Sequence, residues 1–316
     1  MKDMIWAYLL TLSDHTNEDE SSPPRGYYLK PHYEDNIKLD VSAWDKMIPF
    51  LRDYGYNTVL IDVGDGIKYE SHPEIAAPNA WDKDYAKKKL DEIRAAGLTP
   101  IPMLNFSAAK DTWFRGYRRM VSTPEYRAAC RDLILEVGEL FGSPRYFHLG
   151  MDNESETYQK NHEMTFVRGS DLWWKDLGVL LSACDQLGAR PWIFSDYIWW
   201  HEAAFVEKMP KSVLQSAQHY FFVRNYPKDN LHHRRIRAFD VLEENGFDQV
   251  PVCSTTMTRE NPVGILGIAK NRIAEERLKG VLTAPFEPTT ERMLYQLQNA
   301  AHQFRYARRI HYPELG

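Results

Sequence analysis

Short, nearly continuous apolar runs alternate along the chain with longer stretches in which apolar residues recur every three to four positions. The runs are Met4–Leu12, Thr58–Val63, Thr99–Leu104, Tyr146–Leu149, Pro191–Phe194, Val213–Ala217, Val250–Cys253 and Val281–Pro285. Runs of this length with no polar alternate face predict strands buried on both sides. The stretches between them carry helix punctuation. Asp40 caps a helix that ends near Gly55, and Trp81–Ala96 stops at Gly97. Thr123-Pro124-Glu125 supplies a cap, a first-turn proline and a favourable acid to a helix that runs to about Gly142. Ser170–Leu187 stops at Gly188, Asn261-Pro262 opens a helix that stops at Gly280, and a last helix runs from Thr290 to about Arg309. The fifth unit is the weakest: only His201–Met209 reads as helix, with Asp196, Trp199 and Trp200 in the loop before it.

Strand-then-helix units of this kind predict a parallel sheet covered by helices. Eight of them in 316 residues fit an α/β fold of the closed (β/α)8 (TIM barrel) type better than an open doubly wound sheet. No linker or change of composition interrupts the pattern, so residues 1–316 are expected to form one domain.

Such a barrel collects function at the C-terminal ends of its strands. The polar residues fall there in order: Asp14 and His15 after strand one, Asp62 and Asp65 after two, Asn105 after three, and Asp152, Asn153 and Glu154 after four. Asp196, Tyr197, Trp199 and Trp200 follow strand five, Gln218, His219 and Tyr220 strand six, and Glu287 strand eight. Any one polar strand end is ordinary solvation; the whole set favours a ligand site. The stretch Arg145–Ser155 is the densest. An apolar run carrying His148 reaches Gly150, where the backbone can turn sharply, and acids follow at once. Two carboxylates delivered by one strand end suit acid-catalysed cleavage of a sugar acetal, against the plainer reading of an acidic loop.

Tryptophans strengthen the carbohydrate reading, because indole faces pack on the C–H patches of pyranose rings while hydroxyls need carboxylates, amides and imidazoles. Trp113, Trp173, Trp174, Trp192, Trp199 and Trp200 lie near the inferred mouth or in its covering helices. Core packing is the preferred account of Trp173, Trp174 and Trp192, but a less complete one for Trp199 and Trp200.

Composition narrows the remaining classes. The chain is 43% hydrophobic with a formal net charge of −5, and its basic residues are scattered, which gives no footprint for nucleic acid. The single basic run, His232-His233-Arg234-Arg235 with Arg237, reads as a solvated loop and helix start. Cys130, Cys184 and Cys253 read as buried thiols without metal-ligand spacing. The apolar run Met4–Leu10 is too short to span a membrane and lacks a cleavage site, so the sequence as it stands is expected to be cytoplasmic, or secreted or periplasmic if a signal has been removed. Phosphate-binding and dinucleotide glycine motifs and the zincin helix motif are missing, so no cofactor and no metal are expected. A metal-dependent hydrolase using His15, Asp62 and His148 is the rival, without supporting spacing. The expected partner is a carbohydrate; oligomeric state is not legible.

The segment Phe147-His148-Leu149-Gly150-Met151-Asp152 resembles the strand-four signature of glycoside hydrolase family 20, the β-N-acetylhexosaminidases, whose His-x-Gly-x-Asp-Glu sequence carries catalysis. Arg190–Asp196, Tyr220 and Glu287 are similar in kind to that family's strand-five acids, acetamido-holding tyrosine and strand-eight acid. The resemblance implies that Asp152 orients the substrate's 2-acetamido group, whose carbonyl oxygen attacks the anomeric carbon. Asn153 stands where the family has its acid, and an amide cannot deliver a proton, so the resemblance passes the acid role to Glu154. Asp152 and Glu154 are the expected catalytic pair, with Asp196, Tyr197, Trp199, His219, Tyr220, Glu287, His148, Asn153, Asn105, Asp62, Asp65 and His15 binding substrate. Asn153-Glu154 also looks like the strand-four pair of clan A retaining glycosidases, for which this chain offers only Glu260 as nucleophile. A third reading is a barrel that binds a glycan without cleaving it.

Overall fold

The structure, a computed structural model, describes residues 4–13, 36–110, 112–159 and 165–315. Its strands are β1 (Ile5–Thr11), β2 (Thr58–Asp62), β3 (Thr99–Met103), β4 (Tyr146–His148), β5 (Arg190–Phe194), β6 (Leu214–Ser216), β7 (Val252–Cys253) and β8 (Gly280–Thr283). They form one parallel sheet in the order β6-β5-β4-β3-β2-β1-β8-β7. The two ends of that order meet. Val250 N–H donates to Gln215 O (2.8 Å) and Val252 N–H to Ala217 O (3.0 Å), so β7 follows β6 around and the (β/α)8 barrel is nearly closed.

Alternation along each strand explains the two packed layers. Ile5, Ala7 and Leu9 of β1 point inward, with Leu60, Ile101, Met103, Trp192, Phe194, Leu214, Val252 and Leu282 filling the barrel interior. Trp6, Tyr8 and Leu10 of the same strand point outward into the layer beneath the helices. Strand β3 carries Pro100 and Pro102. Thr99 donates its N–H to Asn57 on the β2 side (2.9 Å) and Leu104 donates to His148 on the β4 side (3.0 Å), so both prolines occupy the register that would donate toward β4. Pairing between β3 and β4 is accordingly confined to Met103 and His148, immediately below the mouth.

The helices are α1 (Val41–Asp53), α2 (Lys83–Ala95), α3 (Pro124–Leu140), α4 (Glu156–Gln159), α5 (Ser170–Leu187), α6 (Ile198–Lys208), α7 (Leu231–Glu244), α8 (Asn261–Arg272) and α9 (Leu294–His311). Asp82 and Thr123 cap α2 and α3 by accepting from Tyr85 and Tyr126 N–H. Three expectations change. Helix α8 ends at Arg272, well before Gly280; α6 begins at Ile198 rather than His201; and the short helix α4 and a 3-10 segment at Thr112–Arg119 carry no periodic signal long enough to be read. Helix α6 is broken at His201 (φ −135°, ψ 42°), which divides the first turn, bearing Trp199 and Trp200, from the rest. All three cysteines are buried thiols, and among the described residues no helix is long and apolar enough to cross a membrane.

Candidate active site

The turn after β4 sets the site. Gly150 (φ 69°), Met151 (φ 70°) and Asn153 (φ 60°) all take left-handed backbone conformations. Gly150 is needed twice over: its φ is open chiefly to glycine, and a Cβ there would overlap the Asn105 side chain. Asparagine is among the few other residues that accept this region readily. The winding replaces strand alternation, so neighbouring side chains leave the turn in directions that a two-residue period does not give.

Asp152 is buried and held on both oxygens. Asn105 Nδ2 donates to Oδ1 (2.8 Å) and Asn153 Nδ2 to Oδ2 (2.6 Å). The backbone N–H of Asn153 donates to Asp196 Oδ2 (3.1 Å), and Gln218 Nε2 donates to Asp196 Oδ1. One asparagine thus joins two carboxyl groups from the ends of β4 and β5. Burial first, and the neighbouring charge of Asp152 second, push the Asp196 carboxyl up to about 8, against the opposing pull of Gln218, Arg235 and the Asn153 N–H.

Glu154 leaves the turn toward β3 and α5. Its Oε1 accepts from Ala108 N–H (2.8 Å) and its Oε2 from Arg168 Nε (3.0 Å), while Arg168 Nη2 also donates to Oε1. Arg168 donates further to Asp176 of α5 (3.1 Å) and to Phe106 O (2.8 Å). The Glu154 and Arg168 side chains are 5% and 2% exposed, so this is a buried ion pair with its donors shared out. Burial, the largest single influence, would lower the Arg168 guanidinium; the charges of Glu154, Tyr126 and Asp176 and the hydrogen bond to Glu154 together outweigh it and raise Arg168 above its ordinary value.

A cavity of about 190 Å³ opens beside the acids, lined by Asn153, Asp196, Tyr197, Trp173, Trp199 and Arg235 among others. That is below the roughly 300–1,000 Å³ of sites for drug-sized ligands and suits a single ring. Tyr197 stacks on Trp173 (4.0 Å between ring centroids) and on His201 (4.3 Å), and Arg235 lies over Trp199 (4.7 Å). The hydroxyls of Tyr197 and Tyr220, Trp199 Nε1 and Gln218 Oε1 are buried with no hydrogen-bond partner among the described residues. Unsatisfied polar atoms clustered beside two acids are what a polyhydroxylated ligand would satisfy. Tyr220 packs on the barrel interior and meets Phe286 edge-on (5.3 Å), and its hydroxyl is raised by burial and then by the charges of Asp196 and Asp152. The half-buried Glu287, next to Phe286, is raised by burial to about 7.

The other expected residues disperse. His148 is buried between Trp192 and Phe194, accepts from Gly150 N–H at Nδ1 (3.1 Å), and is lowered by burial to about 3, which keeps it neutral. Asn105 positions Asp152 and receives Ser107 and Met151 N–H on its oxygen. Asp62 is buried at the end of β2. Asp65 pairs with Arg115 (2.9 Å) and accepts from Ser13, tying loops together. His219 faces His232, Tyr226 and Phe221. His15 lies outside the described residues. Glu260, the nucleophile required by the clan A reading, lines an outer groove with Tyr295, His302 and Tyr306, apart from the cavity. Among the described residues, no three His, Cys, Asp or Glu side chains converge as a metal would require.

Sequence reasoning missed Arg168, which sits in a segment without periodicity, and misjudged Arg235. The basic run is indeed a helix start, capped by Asn230, but Arg235 turns into the cavity rather than into solvent alone. Trp199 is likewise helical and 8% exposed rather than in a loop. Trp173 and Trp192 are core residues as expected, and Trp174 packs half-buried against the core.

No family model matches the sequence, and no curated protein matches it either. The fold, in contrast, is similar to solved structures of family 20 enzymes. A β-N-acetylhexosaminidase from Bacteroides fragilis superposes with a TM-score of 0.61 at 14% identity, over 95% of this chain and 65% of that one. The family 20 β-N-acetylhexosaminidase of Streptomyces coelicolor gives 0.62 at 12%, over 95% and 64%. Dispersin B gives 0.61 at 11% identity, over 96% of this chain and 98% of its own. The chain thus spans less than two thirds of the length of the first two. At these identities the likeness establishes the fold alone.

Proposed function

We propose that this barrel is a glycoside hydrolase that takes a terminal β-linked N-acetylhexosamine, one ring deep, against the Asp152–Asn153–Asp196 cluster. The observation that supports it best is the fixing of Asp152. With Asn105 and Asn153 each holding one oxygen, its carboxylate is set rigidly at the strand ends with lone pairs to spare, beside the buried and unsatisfied hydroxyl of Tyr220. In the proposed chemistry Asp152 orients the 2-acetamido group and stabilises the charge it acquires as its carbonyl oxygen closes on the anomeric carbon. Tyr197, Trp199 and Trp173 supply the apolar wall, and Tyr220, Gln218 and Glu287 the polar contacts. No cofactor enters this scheme.

Glu154 fits the role of proton donor poorly while Arg168 and Ala108 occupy its oxygens, since a proton there would displace a donor. The same ion pair favours a second reading, a barrel that binds glycan without cleaving it. A panel of nitrophenyl glycosides separates the two. Turnover of the β-N-acetylglucosaminide with none of the glucoside or galactoside, together with inhibition by the N-acetylglucosamine thiazoline, is the expected result. Binding of N-acetylglucosamine by calorimetry without turnover of any member would establish the second reading instead. Glucoside turnover without thiazoline binding would point to a two-carboxylate enzyme.

A further inference from the structure

We propose that Asp196, from the end of β5, is the proton donor to the leaving group, in place of the acid that Asn153 displaces and Glu154 cannot supply. This rests on the hydrolase reading above. Three features of the geometry carry it. Among the described residues two carboxyl groups line the cavity: Glu154 is consumed by a buried guanidinium, whereas Asp196 accepts from neutral donors, the Gln218 amide and the Asn153 N–H. Asp196 is 4% exposed, yet borders the cavity between Asn153 and Tyr197, so a bound ring rather than bulk water would face it. Asn153 joins it to Asp152, which places donor and orienting carboxylate at one point of the mouth.

The charged and titratable groups around Asp196 agree with a proton resident there. Asp152 faces it from the turn after β4 and opposes a second negative charge; the Tyr220 hydroxyl, from the segment after β6, is itself raised and stays neutral; Arg235 of α7 is a cation on this side and pulls the other way. The balance leaves the carboxyl up to about 8. In the first step the acetamido carbonyl oxygen forms a bond to the anomeric carbon as the glycosidic C–O bond breaks. Its electron pair stays on the leaving oxygen, which takes the Asp196 proton. In the second step Asp196, now a carboxylate, removes a proton from water as the hydroxyl adds to the anomeric carbon and the cyclised acetamido bond opens. Donor and base are then the same group, restored at the end of the cycle.

Leaving-group dependence tests the assignment. A phenyl β-N-acetylglucosaminide needs protonation to depart, whereas the 2,4-dinitrophenyl compound does not. Asp196→Asn is expected to lose about 10²–10⁴-fold in kcat/KM on the phenyl substrate and much less on the dinitrophenyl one. In the unaltered protein the alkaline limb near pH 8 should appear with phenyl and be absent with dinitrophenyl, a measurement that does not depend on the variant folding. Equal losses on both substrates, or an unaltered protein whose alkaline limbs coincide, would overturn the proposal. A selective loss in Glu154→Gln but not in Asp196→Asn would return the role to Glu154. Failure of the unaltered protein to cleave either substrate while binding N-acetylglucosamine would instead remove the hydrolase reading, and this assignment with it.

Discussion

Arg168 grips Glu154 through Nε and Nη2 and reaches Asp176 through Nη1, so one buried guanidinium neutralises two carboxylates from different parts of the chain. Asp176 has a second cation in Arg127 (2.7 Å); among the described residues Glu154 has, besides Arg168, the backbone N–H of Ala108. Removing the arginine strands charge inside the protein. Arg168→Met is expected to cost about 3–5 kcal/mol in urea unfolding, whereas Glu154→Gln, which keeps a hydrogen-bonding oxygen for the arginine, should cost about 1–3 kcal/mol. An Arg168→Met protein as stable as the unaltered one would show that the ion pair does not fasten the turn.

Gly150 meets two constraints at once, a left-handed backbone and the side chain of Asn105. Asn105 cannot easily retreat, because its oxygen accepts from Ser107 and Met151 and its amide holds Asp152. Gly150→Ala is therefore expected to destabilise by about 2–4 kcal/mol, combining the conformational cost with overpacking. It should also lower kcat more than it raises KM, since the displaced group is the one that aims Asp152. Thermal unfolding and steady-state kinetics on the same preparation check both; a loss of stability without a change in kcat would separate Gly150 from the site.

Much of this was legible in the residues and some was not, for identifiable reasons. Near-continuous apolar strands such as Thr58–Asp62 and Arg190–Phe194 can be satisfied only by burial on both faces, which selects a parallel sheet under helices. Strand ends then located Asp152 and Asp196 correctly at the mouth. The direction of Glu154 was not readable, because it depends on left-handed backbone at Met151, whose residue type gives no hint of it, and at Asn153, whose type permits that conformation without requiring it. Arg168 could not be found before its partner was placed. Trp199 looked like loop because the break at His201 leaves its turn of helix too short to show a period.

Tyr220 separates stability from binding. Its hydroxyl is buried with no partner among the described residues, so the folded protein already bears the cost of desolvating it. Tyr220→Phe should leave unfolding stability within about 0.5 kcal/mol of the original, or raise it. Binding of N-acetylglucosamine, measured by calorimetry, should weaken by roughly tenfold, the worth of one well-made neutral hydrogen bond. Unchanged affinity would mean that the hydroxyl faces no ligand group.

The Asp196 carboxyl makes stability depend on pH in a sign opposite to that of a paired surface acid. Its value in the folded protein is raised from 3.8 to about 8, so between those limits the native state holds a proton that the unfolded chain has lost. Stability contributed by this group is fully present below about 3.8 and is lost progressively as pH rises toward 8. Replacing it with asparagine removes the titration while keeping an oxygen for Gln218 to donate to. Asp196→Asn should therefore gain on the unaltered protein as pH increases, by a few kcal/mol (order of magnitude) between pH about 5 and about 9, read from urea midpoints at each pH. Parallel pH profiles for the two proteins would show that Asp196 is ionised in the folded state throughout, and that the charge of Asp152 beside it is compensated by Arg235.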